Sequence, residues 1–62
     1  MKLTWAAARV NAGYNQREVC AKMDIGLNTL IDWEKYRKYP SVVHAEKLCK
    51  LYGCKLEDIS IA

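Results

Sequence analysis

Apolar positions in this chain recur every three or four residues. Ala45, Leu48, Cys49 and Tyr52 stand at i, i+3, i+4 and i+7, and Val19, Cys20 and Met23 repeat part of that pattern. This is the one-sided stripe of an amphipathic helix. Alternating runs of β-branched residues are missing, and so are the Asn-Gly and Asp-Gly pairs that turn hairpins. The pattern predicts an all-α fold.

The breakers divide it into five helices. A first, alanine-rich helix is expected over 3–12, closed by Gly13 in a left-handed cap. Trp5, Ala8, Arg9 and Ala12 fit its buried face. The second covers 16–23, with Asn15 as N-cap and Glu18 three residues on, the signature of a capping box. Asp24-Ile25-Gly26 interrupts it; Asp accepts the left-handed region better than most residues. A third helix follows over 27–35. Two short helices joined by a three-residue turn form a helix-turn-helix. After the loop from Tyr36 to Pro40, Ser41 caps a fourth helix over 42–52, and Gly53 ends it. A short fifth helix over 56–60 is expected to fold Leu56 and Ile59 onto the core.

Length bounds what such a chain can do. With 62 residues, it is read as one domain, 1–62, and a chain this small buries only about 60% of its unfolded surface. The net charge of +3 permits nucleic acid as a partner without requiring it. Its placement is more informative: Lys35, Arg37 and Lys38 lie together with no acid among them. No apolar run reaches the ~18 residues of a membrane span, so a cytoplasmic protein with reduced cysteines and no membrane partner is expected. His44, Cys49 and Cys54 lack the close Cys pairs of a zinc site, and no metal or other cofactor is expected. One histidine without a base partner offers no nucleophilic catalysis, so the chain is read as no enzyme.

Asn15-Gln16, Glu18, Val19-Cys20, Met23, Ile25, Leu30 and Trp33-Glu34 stand in a recognisable order. Arg9 to Gly13, Pro40-Ser41, Lys47-Leu48-Cys49 and Tyr52-Gly53-Cys54 extend that order almost throughout the chain. The set resembles the Cro and phage-repressor family of helix-turn-helix DNA-binding proteins. The resemblance implies a compact five-helix lambda-repressor-like domain. Cys20 and Cys49 take positions of small alanines there, and Cys54 that of a valine. Two departures matter. Gly26 stands where a Ser or Thr usually caps the reading helix. Tyr36 stands where a glycine usually follows it, and because a left-handed tyrosine is strained, a longer or differently ended helix is expected.

By residue-wise transfer, the base-reading positions are Leu27, Asn28, Ile31 and Asp32. Asn28 can bond adenine N6 and N7 together. Leu27 and Ile31 can touch thymine methyls, form a patch for a protein partner, or belong to the core. Asp32 can accept from cytosine N4, or pair with a nearby Lys in solvent. Gln16, at the start of the second helix, is assigned to phosphate, as are Arg17, Lys35, Arg37 and Lys38, with the Tyr36 and Tyr39 hydroxyls as further candidates. The resemblance also implies a structural ion pair between Arg9 and Glu34, and it places Trp33 in the core.

Double-stranded DNA is therefore the expected partner, bound by a sequence-specific transcriptional regulator of repressor type. Homodimers are usual for such proteins, and helix five with Ser60-Ile61-Ala62 is the expected contact. The alternative is a protein-interaction module on the same fold, of antitoxin or anti-repressor type, favoured by the apolar Leu27–Ile31 pair.

Overall fold

The computed structural model describes residues 2–60. Four helices occupy most of them: α1 (Trp5–Asn11), α2 (Gln16–Met23), α3 (Leu27–Glu34) and α4 (Val42–Tyr52). A single 3-10 turn, Leu56–Asp58, follows. The fold is all-α, as the hydrophobic pattern predicts. Among the described residues, the one extended pairing is a parallel bridge between Leu3 and Ile59.

Three helices begin on the side-chain caps that their sequences provide. Thr4 accepts from the Ala7 N–H at 3.1 Å, Asn15 from Glu18 at 2.8 Å and Ser41 from His44 at 3.2 Å. At α2 the Glu18 carboxylate returns a bond to the Asn15 N–H, which completes the capping box. Each cap satisfies a helix N–H that has no partner inside the helix.

The helix ends share one device. Gly13, Asp24, Tyr36 and Gly53 all have positive φ. The residue after each donates back across the last turn: Tyr14 to Arg9, Ile25 to Cys20, Arg37 to Asp32 and Cys54 to Cys49, at 2.9–3.2 Å. This closure of the final carbonyls is the Schellman arrangement. Glycine adopts it freely at two ends; Asp24 and Tyr36 adopt it at a steric cost.

The core is drawn from all four helices: Trp5 and Ala8 of α1, Val19 of α2, Leu30 and Trp33 of α3, and Ala45, Leu48, Cys49 and Tyr52 of α4, with Ile59 just past the 3-10 turn. α3 packs on both α2 and α1, while α4 packs on α1 and on the 3-10 turn. Burial pushes the Cys49 thiol up to about 11, and the adjacent Cys54 adds to this. It also raises the Tyr52 phenol. The Tyr52 hydroxyl is buried without a hydrogen-bond partner among the described residues.

Four expected boundaries shift. α1 ends at Asn11, one residue early, with Ala12 as its C-cap. α1 starts at Trp5, because Thr4 caps it and Leu3 is drawn into the bridge. There the Leu3 N–H donates to Asp58 O at 2.8 Å, and Leu3 O accepts from the Ser60 N–H at 2.7 Å. α3 ends at Glu34, with Tyr36 left-handed at φ 59°. The expected fifth helix over 56–60 is the 3-10 turn alone, since Ile59 leaves it in extended backbone to meet Leu3. Ile59 is buried as expected, but Leu56 is 46% exposed and is not part of the core. No helix among the described residues is long and apolar enough to cross a membrane. The expected contact residues Ile61 and Ala62 lie outside the described ones.

Candidate nucleic-acid interface

α2 and α3 are joined by Asp24, Ile25 and Gly26, which form the tight turn of a helix-turn-helix. The left-handed Asp24 reverses the chain. Leu30 and Trp33 then anchor α3, at 1% and 6% exposure. At about 100° per residue, this fixes which positions face outward. Asn28 lies opposite the anchors and is exposed; Ile31 and Asp32 flank it and are half-buried; Leu27, at the border of the strip, is 37% exposed. Thr29 is exposed on the far side of the same strip. The four sequence-predicted reading positions thus share one outward face of one helix.

The basic loop is folded against the end of that helix. The Asp32 carbonyl accepts from the Arg37 N–H at 2.9 Å and from the Lys38 N–H at 3.4 Å. The Asp32 carboxylate also pairs with the Arg37 guanidinium at 3.8 Å. Asp32 therefore has a cation as neighbour, an arginine where a lysine was expected. Lys35, Arg37 and Lys38 are exposed beside the outward face of α3, and Arg17 is exposed in the first turn of α2. Tyr36 is committed elsewhere: its hydroxyl donates to Ser60 O at 2.8 Å, and its ring lies 6.3 Å from that of Tyr39.

Behind this face is a polar junction of three helices. The Arg9 Nε donates to Glu34 Oε2 at 2.7 Å, with side-chain exposures of 14% and 7%. Arg9 Nη2 reaches Glu34 Oε1 at 3.4 Å, and Arg9 Nη1 donates to Tyr14 O at 3.0 Å. Gln16 completes it, donating from Nε2 to Glu34 Oε1 at 2.9 Å. Gln16 thus stands in the structural junction, with one N–H of its amide engaged. The sequence assigns Gln16 to phosphate and gives no sign of this bond, because helix position alone does not reveal a partner 18 residues away.

Elsewhere, His44 serves the α4 cap, with Nδ1 2.8 Å from Ser41 Oγ and its ring 5.5 Å from that of Trp33. Cys20, Cys49 and Cys54 are free thiols, and no cluster of potential metal ligands occurs among the described residues.

Comparison with known proteins agrees with this geometry. A helix-turn-helix family model matches residues 6–59. The chain is 35% identical over 51 residues to the cryptic phage CTXphi transcriptional repressor RstR of Vibrio cholerae; the match covers 82% of this chain and 46% of that protein. The chain thus spans about half the length of this curated relative. No solved structure matches it significantly.

Proposed function

This chain belongs to the Cro/C1-type helix-turn-helix family, and from that premise we propose that it is a cytoplasmic, sequence-specific regulator of transcription that binds double-stranded DNA and acts as a repressor by occupancy. The whole chain, 1–62, forms the DNA-binding domain. α3 enters the major groove, where Leu27, Asn28, Ile31 and Asp32 meet base edges. Arg17, Lys35, Arg37 and Lys38 bind phosphates and set the register, joined by the free N–H of Gln16 at the positive end of α2. Two copies bind as a dimer, with half-sites about 34 Å apart. The repressor role is supported by the similarity to RstR.

The observation that carries this reading is the exposed Asn28 face with the basic loop hydrogen-bonded to its end. Its test is selection of bound duplexes from a random pool, followed by titration of the winning duplex at increasing salt. Retained duplexes with a common site, and affinity falling steeply with salt, are the expected result. Asn28→Ala is expected to weaken that site by about fivefold or more, the lower end of what a bidentate base contact contributes, with an unchanged melting curve. Binding that selects no sequence, or that is indifferent to salt, supports the interaction-module alternative, for which the apolar Leu27–Ile31 pair is the relevant surface.

A further inference from the structure

The chemistry left available on α3 is narrow. Guanine presents two acceptors, N7 and O6, to the major groove and is read by Arg or Lys. The helix, Leu-Asn-Thr-Leu-Ile-Asp-Trp-Glu, contains neither. Cytosine is read through its N4 donor by a carboxylate. Asp32 is the one outward carboxylate, and it is half-buried and paired with Arg37. Gln16, at the start of α2, donates to Glu34, and Arg9 is held by Glu34 and Tyr14. What remains on the outward strip is the Asn28 carboxamide, both donor and acceptor, with Leu27 and Ile31 one helical turn apart beside it and the exposed Thr29 hydroxyl, which suits any base, at its far side.

We propose that α3 reads a short run of A·T pairs, Asn28 taking an adenine through N6 and N7 while Leu27 and Ile31 pack on the C5-methyl groups of neighbouring thymines. This rests on the DNA-binding reading above and gives its substrate class. A guanine set against Leu27 or Ile31 would lose water from its acceptors and gain no donor in return. The Asp32–Arg37 pair competes with cytosine N4 for the Asp32 carboxylate, which leaves Asp32 the weaker reader, and holds Arg37 at the rim, where it meets phosphate. Discrimination by this helix is therefore carried largely by methyl groups.

The test separates the methyl from everything else in the base. In the duplex recovered by selection, each thymine is replaced in turn by deoxyuridine, which deletes only the methyl group. Substitution at the one or two thymines under α3 is expected to weaken binding about fourfold each, the equivalent of one buried CH₂. Substitution elsewhere is expected to have no effect. Leu27→Ala, at an exposed helix start, should abolish the penalty at one of these thymines and leave it at the other. A selected core of G·C pairs, or uniform indifference to deoxyuridine in a duplex that still binds specifically, overturns the methyl reading and leaves DNA binding standing. A folded protein that selects no duplex overturns both.

Discussion

Two ion pairs are built on the last turns of α3, and they differ in every respect that matters. Arg9 and Glu34 meet at 2.7 Å with little solvent access, bridge residues 25 apart, and share partners with Gln16 and the Tyr14 carbonyl. Asp32 and Arg37 stand 3.8 Å apart, the arginine 60% exposed. The first holds α1, α2 and α3 in one arrangement. The second adjusts the surface that the first arrangement presents. The same charge chemistry serves architecture where water is excluded and tuning where it is not.

The buried pair is the place to break the molecule. Glu34→Ala leaves the Arg9 guanidinium in the junction without its counter-charge and removes an acceptor from Gln16. Loss of one partner from such a pair costs about 3–5 kcal/mol, comparable to what a core this small supplies. The variant is expected to be largely unfolded at 37 °C by circular dichroism. A cooperative melt close to that of the parent chain would show that the junction contributes little.

The buried side should also respond to alkali. Cys49 is raised from 9.0 to about 11 by burial, so the folded state holds a proton that the unfolded state releases first. Stability is full below pH 9, falls as pH rises from 9 to 11, and levels off for this group above 11. Tyr52, also raised by burial, adds a loss of the same sign that begins at pH 10.0. Urea denaturation at pH 8, 10 and 11 should show the decline, and Cys49→Ala should remove its lower part.

Tyr36 stands between Glu34 and Arg37 in the sequence, and its hydroxyl bond to Ser60 ties the basic loop to the Leu3–Ile59 bridge. Tyr36→Phe keeps the ring and the left-handed backbone and deletes one hydrogen bond, for a loss of about 1 kcal/mol. Protection of the Ser60 amide in hydrogen exchange should fall more than that of α2, because the lost bond lies at the Leu3–Ser60 contact. Equal changes at both would assign Tyr36 no local role.

How far these features were legible in the sequence depends on how local they are. α2 and α4 have the expected limits, because Asn15, Glu18, Ser41 and Gly53 act within a few residues of the helices they bound. The Leu3–Ile59 pairing joins residues 56 apart in the chain and leaves no periodic trace, so the pattern predicts too early a start for α1 and too late an end for the last turn. Tyr36 shows the limit most clearly. Its left-handed φ is strained in isolation, yet the Schellman bonds and the Ser60 contact hold it there. The candidate site divides the same way. The outward strip of α3 follows from helix geometry once Leu30 and Trp33 are buried, and Arg9–Glu34 followed from the resemblance alone. The Gln16–Glu34 bond and the Arg37 partner of Asp32 needed the fold.

The exposed pair should register in binding and barely in stability. Arg37→Ala is expected to change the unfolding free energy by less than about 0.5 kcal/mol. It should also lower the slope of log affinity against log salt by about one, as loss of a phosphate contact requires. An unchanged slope would place Arg37 off the backbone and leave it only its bond to Asp32.

The smallest effect concerns the start of the reading helix. Gly26 has N-cap backbone angles, φ −76° and ψ 154°, close to those of Thr4 and Ser41, yet α3 has no side-chain cap. A side chain would meet little: the nearest heavy atom to an added Cβ is Thr29 Oγ1 at 4.0 Å, and φ is ordinary. Gly26→Ser should therefore raise stability by a few tenths of a kcal/mol, the usual difference between Ser and Gly at this position. Nothing in the packing opposes the gain, so the glycine has no structural necessity. If the serine variant is more stable and binds the selected duplex more weakly, the bare helix start serves the approach of α3 to DNA. If affinity is unchanged, Gly26 is simply an uncapped end, and the difference between the built and the tuned halves of the domain stops one residue short of the helix.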